Sequence, residues 1–278
     1  MFARILVGLD GSAGADAALA AAIALARRFD SRIFLAAVSD SRVLEAPYLG
    51  GTMVMWAEGA PASPGVAELG RIMEARAATL LGDAATRVAA AGVRCESLRA
   101  TGLVHEELVR LAAQADLIVV GRRGEMHARP GTLGTVTAHL IHRGPVPVLV
   151  AGELPSAFTR PVVAFDGGDT SLSALALATR WATAAGIAID VVVVSDDAAA
   201  GGALLARAQE SLAHGGVPHT THLLQGDVVR AIAAHMERGG ADLLLAGAHG
   251  GRKGTGWSIG SHAQRLVRAT RVPAIIAR

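Results

Sequence analysis

The stretch Ile5-Leu6-Val7-Gly8-Leu9-Asp10-Gly11 occurs twice in this chain of 278 residues, the second time as Pro161-Val162-Val163-Ala164-Phe165-Asp166-Gly167. Each copy is a short apolar run that ends in Asp-Gly. The shift between the copies is 156 positions, and the same shift carries Val38-Ser39-Asp40 onto Val194-Ser195-Asp196. The two halves therefore align without a gap over a first strand, a first helix and a second strand, which indicates a tandem duplication.

A glycine pattern repeats further along the chain at a different shift. Gly121-Arg122-Arg123-Gly124 is followed after nine residues by Gly134-Thr135. In the second half, Gly247-Ala248-His249-Gly250 is followed after nine residues by Gly260-Ser261. Here the shift is 126 positions, so the first half carries about 30 additional residues.

These shifts define the organisation of the chain. The additional residues fall at about 41–70, a stretch rich in glycine and proline, where a long loop is either functional or merely mobile. We expect one domain at 1–151, which contains this insertion, and a second at 160–278. The segment 152–160, which contains a proline, is the natural linker.

Short apolar runs alternate with longer helical patterns in each half. In the first half the expected strands are about 4–9, 32–38, 94–99, 116–120 and 146–150, and the expected helices are about 13–29, 67–91, 103–114 and 133–142. Apolar strands without polar alternation are typical of a sheet buried on both faces, and alternation with helices implies parallel strands. The sequence therefore predicts an α/β fold of two doubly wound, Rossmann-like domains, with ligands at the carboxyl ends of the strands.

Two residues are plausible helix N-caps, Ser12 in the first half and Asp169 in the second. The halves differ here, because Gly168 and Asp169 replace Ser12 and Ala13. The carboxylates Asp10 and Asp166 have two open interpretations. They contact a ligand, or they cap the helix that follows.

The glycine pattern suits a phosphate for direct physical reasons. Glycine allows close approach of the backbone to a ligand and accepts positive φ angles. The final Gly-Thr or Gly-Ser begins a helix, whose free N–H groups and positive dipole end attract an anion. Arg129, Arg252 and Lys253 lie in the intervening loops and could screen phosphate charge.

Composition excludes several classes of protein. Hydrophobic residues make up 51% of the chain and aromatic residues 3%, so the core is built from Ala, Val, Leu and Ile. The formal net charge is +2 without a basic run, which argues against a nucleic-acid partner. The longest apolar run, 17–26, is half of what a membrane span needs. Cys95 is the single cysteine, so a reducing, cytoplasmic location is expected, with an inert thiol.

The chain resembles the universal stress proteins, once in each half and over nearly its whole length. The resemblance rests on the strand-turn-helix context of the glycine pattern, on the first-strand Asp-Gly-Ser, and on the segments Thr101-Gly102 and Gln225-Gly226. The resemblance implies ATP as ligand, with Mg²⁺ bridging its phosphates. The implied contacts in the first half are Asp10, Val38, Gly121, Arg123, Gly124, Gly134, Thr135 and Val136. Those in the second half are Asp166, Val194, Gly247, His249, Gly250, Gly260, Ser261 and His262.

The resemblance also implies an assembly and a mode of action. The two halves pair about a pseudo-two-fold axis through their last strands, at about 146–150 and 272–277, and a further homodimer is conceivable. The implied role is in stress response or signalling, in which the bound nucleotide changes the conformation of the protein. No catalytic triad or carboxylate pair is evident, so we expect no enzyme beyond slow hydrolysis of ATP. One half or both could bind nucleotide.

Of three other interpretations, the sequence leaves the first open and argues against the other two. The clefts could hold an apolar ligand or a partner protein instead of a nucleotide. An enzyme of the related adenine-nucleotide α-hydrolase group would need a Ser-Gly-Gly-x-Asp-Ser-like loop, which Gly8 to Ser12 does not match. The histidine pairs His139/His142 and His219/His222 show no nearby third ligand in the sequence, so no metal site is expected.

Overall fold

A computed structural model describes residues 1–43, 66–125, 132–153, 156–213, 215–249 and 261–278. In the first half the elements are β1 Arg4–Leu9, α1 Ala13–Phe29, β2 Arg32–Asp40, α2 Val66–Ala90, β3 Cys95–Gly102, α3 Val104–Ala112, β4 Leu117–Val120, α4 Thr135–Arg143 and β5 Val148–Val150. In the second half they are β6 Pro161–Ala164, α5 Asp169–Ala185, β7 Ile189–Val194, α6 Ala198–Ala213, β8 His219–Leu224, α7 Val228–Gly239, β9 Leu243–Gly247, α8 Ser261–Ala269 and β10 Ala274–Ala277.

The ten strands form one continuous sheet in the order β3-β2-β1-β4-β5-β10-β9-β6-β7-β8. All neighbours are parallel except β5 and β10, which pair antiparallel with Val148 opposite Ile276. The two halves thus meet at their last strands, where the family resemblance places the pseudo-two-fold axis. The α/β fold with a doubly wound, largely parallel sheet in each half is confirmed.

Helices cover both faces of the sheet and bury two apolar layers. On one face α1, α2, α5 and α6 pack over strand residues such as Leu35 and Val191. On the other face α3, α4, α7 and α8 pack over residues such as Ile118 and Leu244. Aliphatic side chains of this kind, buried on both faces of the strands, stabilise parallel sheets, as the composition predicts.

Aromatic side chains tie the halves and the linker together. Trp181 of α5 is fully buried, and its ring lies 5.2 Å from that of Phe29, 6.0 Å from Phe2 and 5.9 Å from Phe158, centroid to centroid. Phe158 belongs to the predicted linker. The linker is therefore anchored in the core through this residue, and T-shaped or tilted ring pairs contribute beyond their buried area.

One of the two expected helix caps is correct. Ser12 caps α1, since its hydroxyl accepts a hydrogen bond from Ala15 N at 3.1 Å. The prediction for Asp169 is wrong, because Gly168 is the N-cap of α5 and Asp169 is the first helical residue. The Asp166 carboxylate accepts a hydrogen bond from Gly168 N at 2.9 Å. That turn sets the start of the helix one residue earlier than the sequence suggests.

The insertion predicted at about 41–70 is described only at its two ends. Residues 66–70 are the beginning of α2, and residues 44–65 lie outside the described residues. Among the helices of the described ranges, none combines the length and the apolar character needed to cross a bilayer.

Candidate functional site

A cavity of about 290 Å³ opens in the first half at the carboxyl ends of β1, β2 and β4. It lies between the sheet, α2 and the start of α4. All eight residues that the sequence predicts for this half line it: Asp10, Val38, Gly121, Arg123, Gly124, Gly134, Thr135 and Val136. The structure therefore brings together, from four separate elements, a set that the sequence could only place by spacing and resemblance.

Asp10 connects the end of β1 to the glycine turn that follows β4. Its carboxylate accepts hydrogen bonds from Ser12 N at 2.9 Å and from Glu125 N at 3.1 Å. A Cβ atom on Gly124 would lie 2.5 Å from the same carboxylate, so any other residue there would displace the Asp10 side chain. The cap of α1 is the Ser12 hydroxyl, so Asp10 positions the turn and faces the cavity instead of capping the helix through its side chain.

Gly121 is required for packing. A Cβ atom there would clash with the backbone of Gly14 in the first turn of α1. The hydroxyl of Thr137 donates a hydrogen bond to Gly121 O at 2.8 Å and holds α4 against the end of β4. The first two glycines of the pattern thus allow close approach of protein to protein, and this contact shapes the rim of the cavity.

The N-terminus of α4 faces the cavity with an open first turn. Gly134 is the N-cap, in extended conformation, and none of the described side chains caps the helix. The first turn carries no acidic residue, and Thr135 at its first position is exposed. Unsatisfied N–H groups and the positive end of the helix dipole make such a turn a favourable anion site.

Three arginines and three acidic residues surround the mouth of the cavity. Arg76 of α2 forms an ion pair with Glu125 and donates to Asp10 O at 3.3 Å. Arg42 donates to both carboxylate oxygens of Asp40, at 2.9 and 2.6 Å, and this hydrogen bonding lowers the pKa of the Asp40 carboxyl. The mouth therefore already balances its own charges, and an anionic ligand must compete with these carboxylates for the arginines.

The floor of the cavity is apolar. The sheet contributes Ala36 and Val38 of β2 and Val120 of β4 to this floor. Helix α3 contributes Val104 and Leu108. A flat, weakly polar group would bury apolar area against this floor while charged parts of the same ligand reach the mouth. Pockets of this build, with few placed polar groups above an apolar base, are typical small-molecule sites.

The sequence missed the contribution of α2. Met73, Arg76, Ala77 and Leu80 line the cavity from this helix, and Arg42 lines it from the beginning of the insertion. The helical residues recur at spacings of three and four, which is the signal of one helix face. That spacing could have identified a common face, although it could not have shown that this face covers the end of β2.

The second half is arranged differently at the matching positions. Thr170 stands where the first half has Gly14, and its hydroxyl donates to His249 O at 2.7 Å and accepts from His249 N at 3.2 Å. The turn after β9 is therefore held by a side chain of its own half. The ring of His249 lies 6.3 Å from that of His142 in the first half, and burial lowers the pKa of His249.

The structure describes some, not all, of the other residues predicted for the second half. Asp166 follows β6, Val194 ends β7, and Gly247 ends β9 with Thr170 and Ser171 too close to admit a Cβ atom. Gly250 and Gly260 lie outside the described residues, as do Arg129, Arg252 and Lys253. Ser261 and His262 begin α8. Residues 195–197 alone join β7 to α6, so α6 starts directly above the strand end.

Arg122 lies inside the glycine turn but faces the other half. Its guanidinium donates to Ala151 O at 3.1 Å, to Val272 O at 2.9 Å, and to Val267 O in the last turn of α8. Burial lowers the pKa of this arginine. The position that matches Arg122 in the second half is the buried Ala248, so the contact exists in one direction only.

The expectation that His222 has no third ligand group nearby is wrong. Asp190 of β7, His222 of β8 and His235 of α7 meet on the second half, with their ligand atoms all within 4.8 Å of one another. His219 is not part of this group, since its Nδ1 contacts Val217 O at 2.9 Å. The register of β7 against β8 creates the cluster, and sequence spacing does not reveal it.

Comparisons with known proteins agree on one family. The model of the universal stress protein family matches residues 1–152 and again 157–278. Universal stress protein Slr1230 of Synechocystis sp. is 28% identical over 207 residues, which cover 73% of this chain and 72% of that protein. Universal stress protein Rv2005c of Mycobacterium tuberculosis is 26% identical over 297 residues, covering 99% of this chain and 96% of that protein.

A solved structure matches the fold over the whole chain. The crystal structure of a universal stress protein from Archaeoglobus fulgidus superposes with a TM-score of 0.79, covering 99% of this chain and 98% of that one. The sequence identity is 21%, so this likeness concerns the arrangement of the sheet and helices.

Proposed function

The chain belongs to the universal stress protein family, and we propose that its first half binds ATP in the cavity at the carboxyl ends of β1, β2 and β4. The observation that carries the proposal is the convergence of the eight predicted first-half residues on one cavity beside an uncapped helix N-terminus. The matching residues of the second half remain a sequence prediction of a second site.

The shape of the cavity suggests how ATP is oriented. The adenine ring packs on the apolar floor near Val38, with the ribose beside Asp10. The phosphates extend towards the first turn of α4, where the N–H groups and the Thr135 hydroxyl are available. The volume of about 290 Å³ is close to the lower end of roughly 300–1,000 Å³ for small-molecule pockets, which fits adenosine inside and phosphates at the mouth.

The mouth offers the charge that phosphates need. Arg76 and Arg123 line it and can exchange their present contacts for phosphate oxygens. Mg²⁺ fits as an ion that arrives with the phosphates, because it retains several waters and needs few protein ligands. The exposed Thr135 hydroxyl is a suitable protein oxygen for it.

Binding rather than catalysis is the proposed role. The phosphates of ATP would replace Glu125 as the partner of Arg76. This would change the contacts between α2 and the glycine turn. A partner protein could recognise that difference in a stress or signalling response in the cytoplasm. The alternative of an apolar ligand is favoured by the cavity floor alone and leaves the arginines at the mouth without a role.

Calorimetry tests the proposal directly. The purified chain is titrated with ATP and Mg²⁺, with adenosine, and with GTP, and nucleotide released on heat denaturation is identified by chromatography. We expect ATP to bind and to raise the melting temperature, adenosine to bind more weakly, and GTP to fail. No binding of ATP at millimolar concentration would reject the proposal, and tight binding of apolar ligands instead would favour the alternative.

A further inference from the structure

A cluster of three metal-ligand side chains lies on the second half, at the edge of the sheet. Asp190 Oδ2 is 2.6 Å from His235 Nε2, and Asp190 Oδ1 is 3.0 Å from His222 Nε2. The two imidazole rings are 4.6 Å apart, centroid to centroid. Both histidines therefore direct the same ring nitrogen at one carboxylate from two different elements.

The first half has apolar residues at the matching strand positions. Asp190 of β7 matches Phe34 of β2, and His222 of β8 matches Leu98 of β3, because the strands of each pair keep the same register. Phe34 and Leu98 both pack against the apolar core on this face of the sheet. The cluster therefore replaces a hydrophobic contact of the duplicated fold.

The helical member of the cluster follows the same pattern. His235 of α7 matches Leu111 of α3, since the residue after each, Met236 or Ala112, is buried in the same core. Leu111 packs against that core as well. The residues at all three positions are thus apolar in the first half and of metal-ligand types in the second.

The cluster is accessible and also supported. The exposed fractions of the side chains are 42% for His222, 26% for Asp190 and 14% for His235, so an ion could enter from the His222 side. The Thr220 hydroxyl donates to Asp190 Oδ1 at 3.0 Å and orients the carboxylate. Hydrogen bonds of this kind fix the ligands of metal sites and are part of their design.

We propose that Asp190, His222 and His235 bind a divalent transition-metal ion of the Zn²⁺ type. Two imidazoles and one carboxylate are a common protein ligand set for Zn²⁺, with a fourth position left for water. Metal–ligand bonds of about 2.0–2.2 Å need only small side-chain rotations, because the ligand atoms already lie within 4.8 Å of one another. The ion connects edge strand β8 to helix α7 across β7.

The competing explanation is a purely hydrogen-bonded cluster. Two neutral imidazoles can each donate from Nε2 to Asp190, with no ion involved. The two explanations differ in whether the unmodified chain binds the metal and loses that binding when one of the three residues is replaced. Neither depends on the nucleotide proposal, because the cluster lies in the other half of the chain.

Metal titration of the chelator-treated full chain tests the proposal. Zn²⁺ binding is followed by calorimetry and melting temperature, and Co²⁺ serves as a second probe through its visible absorption. The variants His222→Leu and His235→Leu place the first-half residue at each position, and Asp190→Asn keeps the side-chain size. His139→Leu is the matched control, since it removes an imidazole whose ring lies 4.3 Å from that of His105.

We expect one Zn²⁺ per chain, a higher melting temperature with Zn²⁺, and intense Co²⁺ absorption typical of four-coordination. Each cluster variant should weaken Zn²⁺ binding at least 100-fold, because loss of an outer-shell partner alone costs roughly 10–100-fold. The control should bind as the unmodified chain does. Failure of the unmodified chain to bind Zn²⁺ at micromolar concentration would overturn the proposal, as would equal binding by all three cluster variants.

Discussion

A negative charge at the start of α4 should separate helix stability from phosphate binding. Thr135 is the first residue of this helix, it is exposed, and it lines the cavity. In Thr135→Asp the new carboxylate lies at the positive end of the helix dipole, which stabilises a helix by about 0.3–1 kcal/mol. The chain without ligand should therefore melt at the same temperature or slightly higher.

The same carboxylate should repel the phosphates of ATP. Two like charges about 4 Å apart interact by roughly 1 kcal/mol in water and roughly 4 kcal/mol near a protein surface. Because Thr135 is exposed, we take a value of about 1.4–3 kcal/mol, which corresponds to roughly 10–100-fold weaker binding.

Calorimetry with ATP on the unmodified chain, on Thr135→Asp and on the uncharged Thr135→Asn measures this effect. Thr135→Asn should bind within about threefold of the unmodified chain, since it introduces no charge. Adenosine should bind equally to both variants, because it lacks phosphates. If Thr135→Asp keeps its ATP affinity while its melting temperature is unchanged, the phosphates do not lie at α4 and the proposed orientation is wrong.

Three further results are expected. Glu125→Gln releases Arg76 from its exposed ion pair, so calorimetry at low salt should show ATP affinity up to about fivefold higher, the equivalent of at most about 1 kcal/mol; lower affinity would contradict the competition described at the cavity mouth. Arg122→Ala leaves three carbonyl groups without their charged donor, so urea unfolding should show a loss of about 2–4 kcal/mol, against under about 1 kcal/mol for the exposed control Arg271→Ala. Burial raises the pKa of the Cys95 thiol, so its reaction with a disulfide reagent should be slow at pH 7 and accelerate about tenfold per pH unit up to that pKa; fast reaction at pH 7 would show that the thiol is not shielded.

Local sequence patterns predict correctly those features that depend on residues close together in the chain. The apolar runs ending at Asp10 and Asp166 are strands, and the Ser12 cap is correct because its hydroxyl bonds to an amide only three residues away. The Asp169 cap was wrong because the neighbouring carboxylate, Asp166, fixes the turn one residue earlier. A choice between two adjacent turn residues depends on such side-chain contacts, which composition does not encode.

The sequence did not predict contacts between elements that are far apart in the chain. Arg76 reaches the cavity because α2 packs over the end of β2, and the segment between these elements carries no signal of that packing. Asp190, His222 and His235 meet because strand register and helix packing place them on one face. The spacing of these three residues along the chain does not indicate that they meet. The cluster therefore has no sequence pattern of its own.

The most direct test is a crystal structure of the full chain grown with ATP and Mg²⁺. We expect electron density for adenine beside Val38 and for phosphates at the first turn of α4, with Arg76 turned away from Glu125. An adenine nucleotide bound only elsewhere on the chain, with the first-half cavity holding no part of it, would contradict the assignment of this cavity as the nucleotide site.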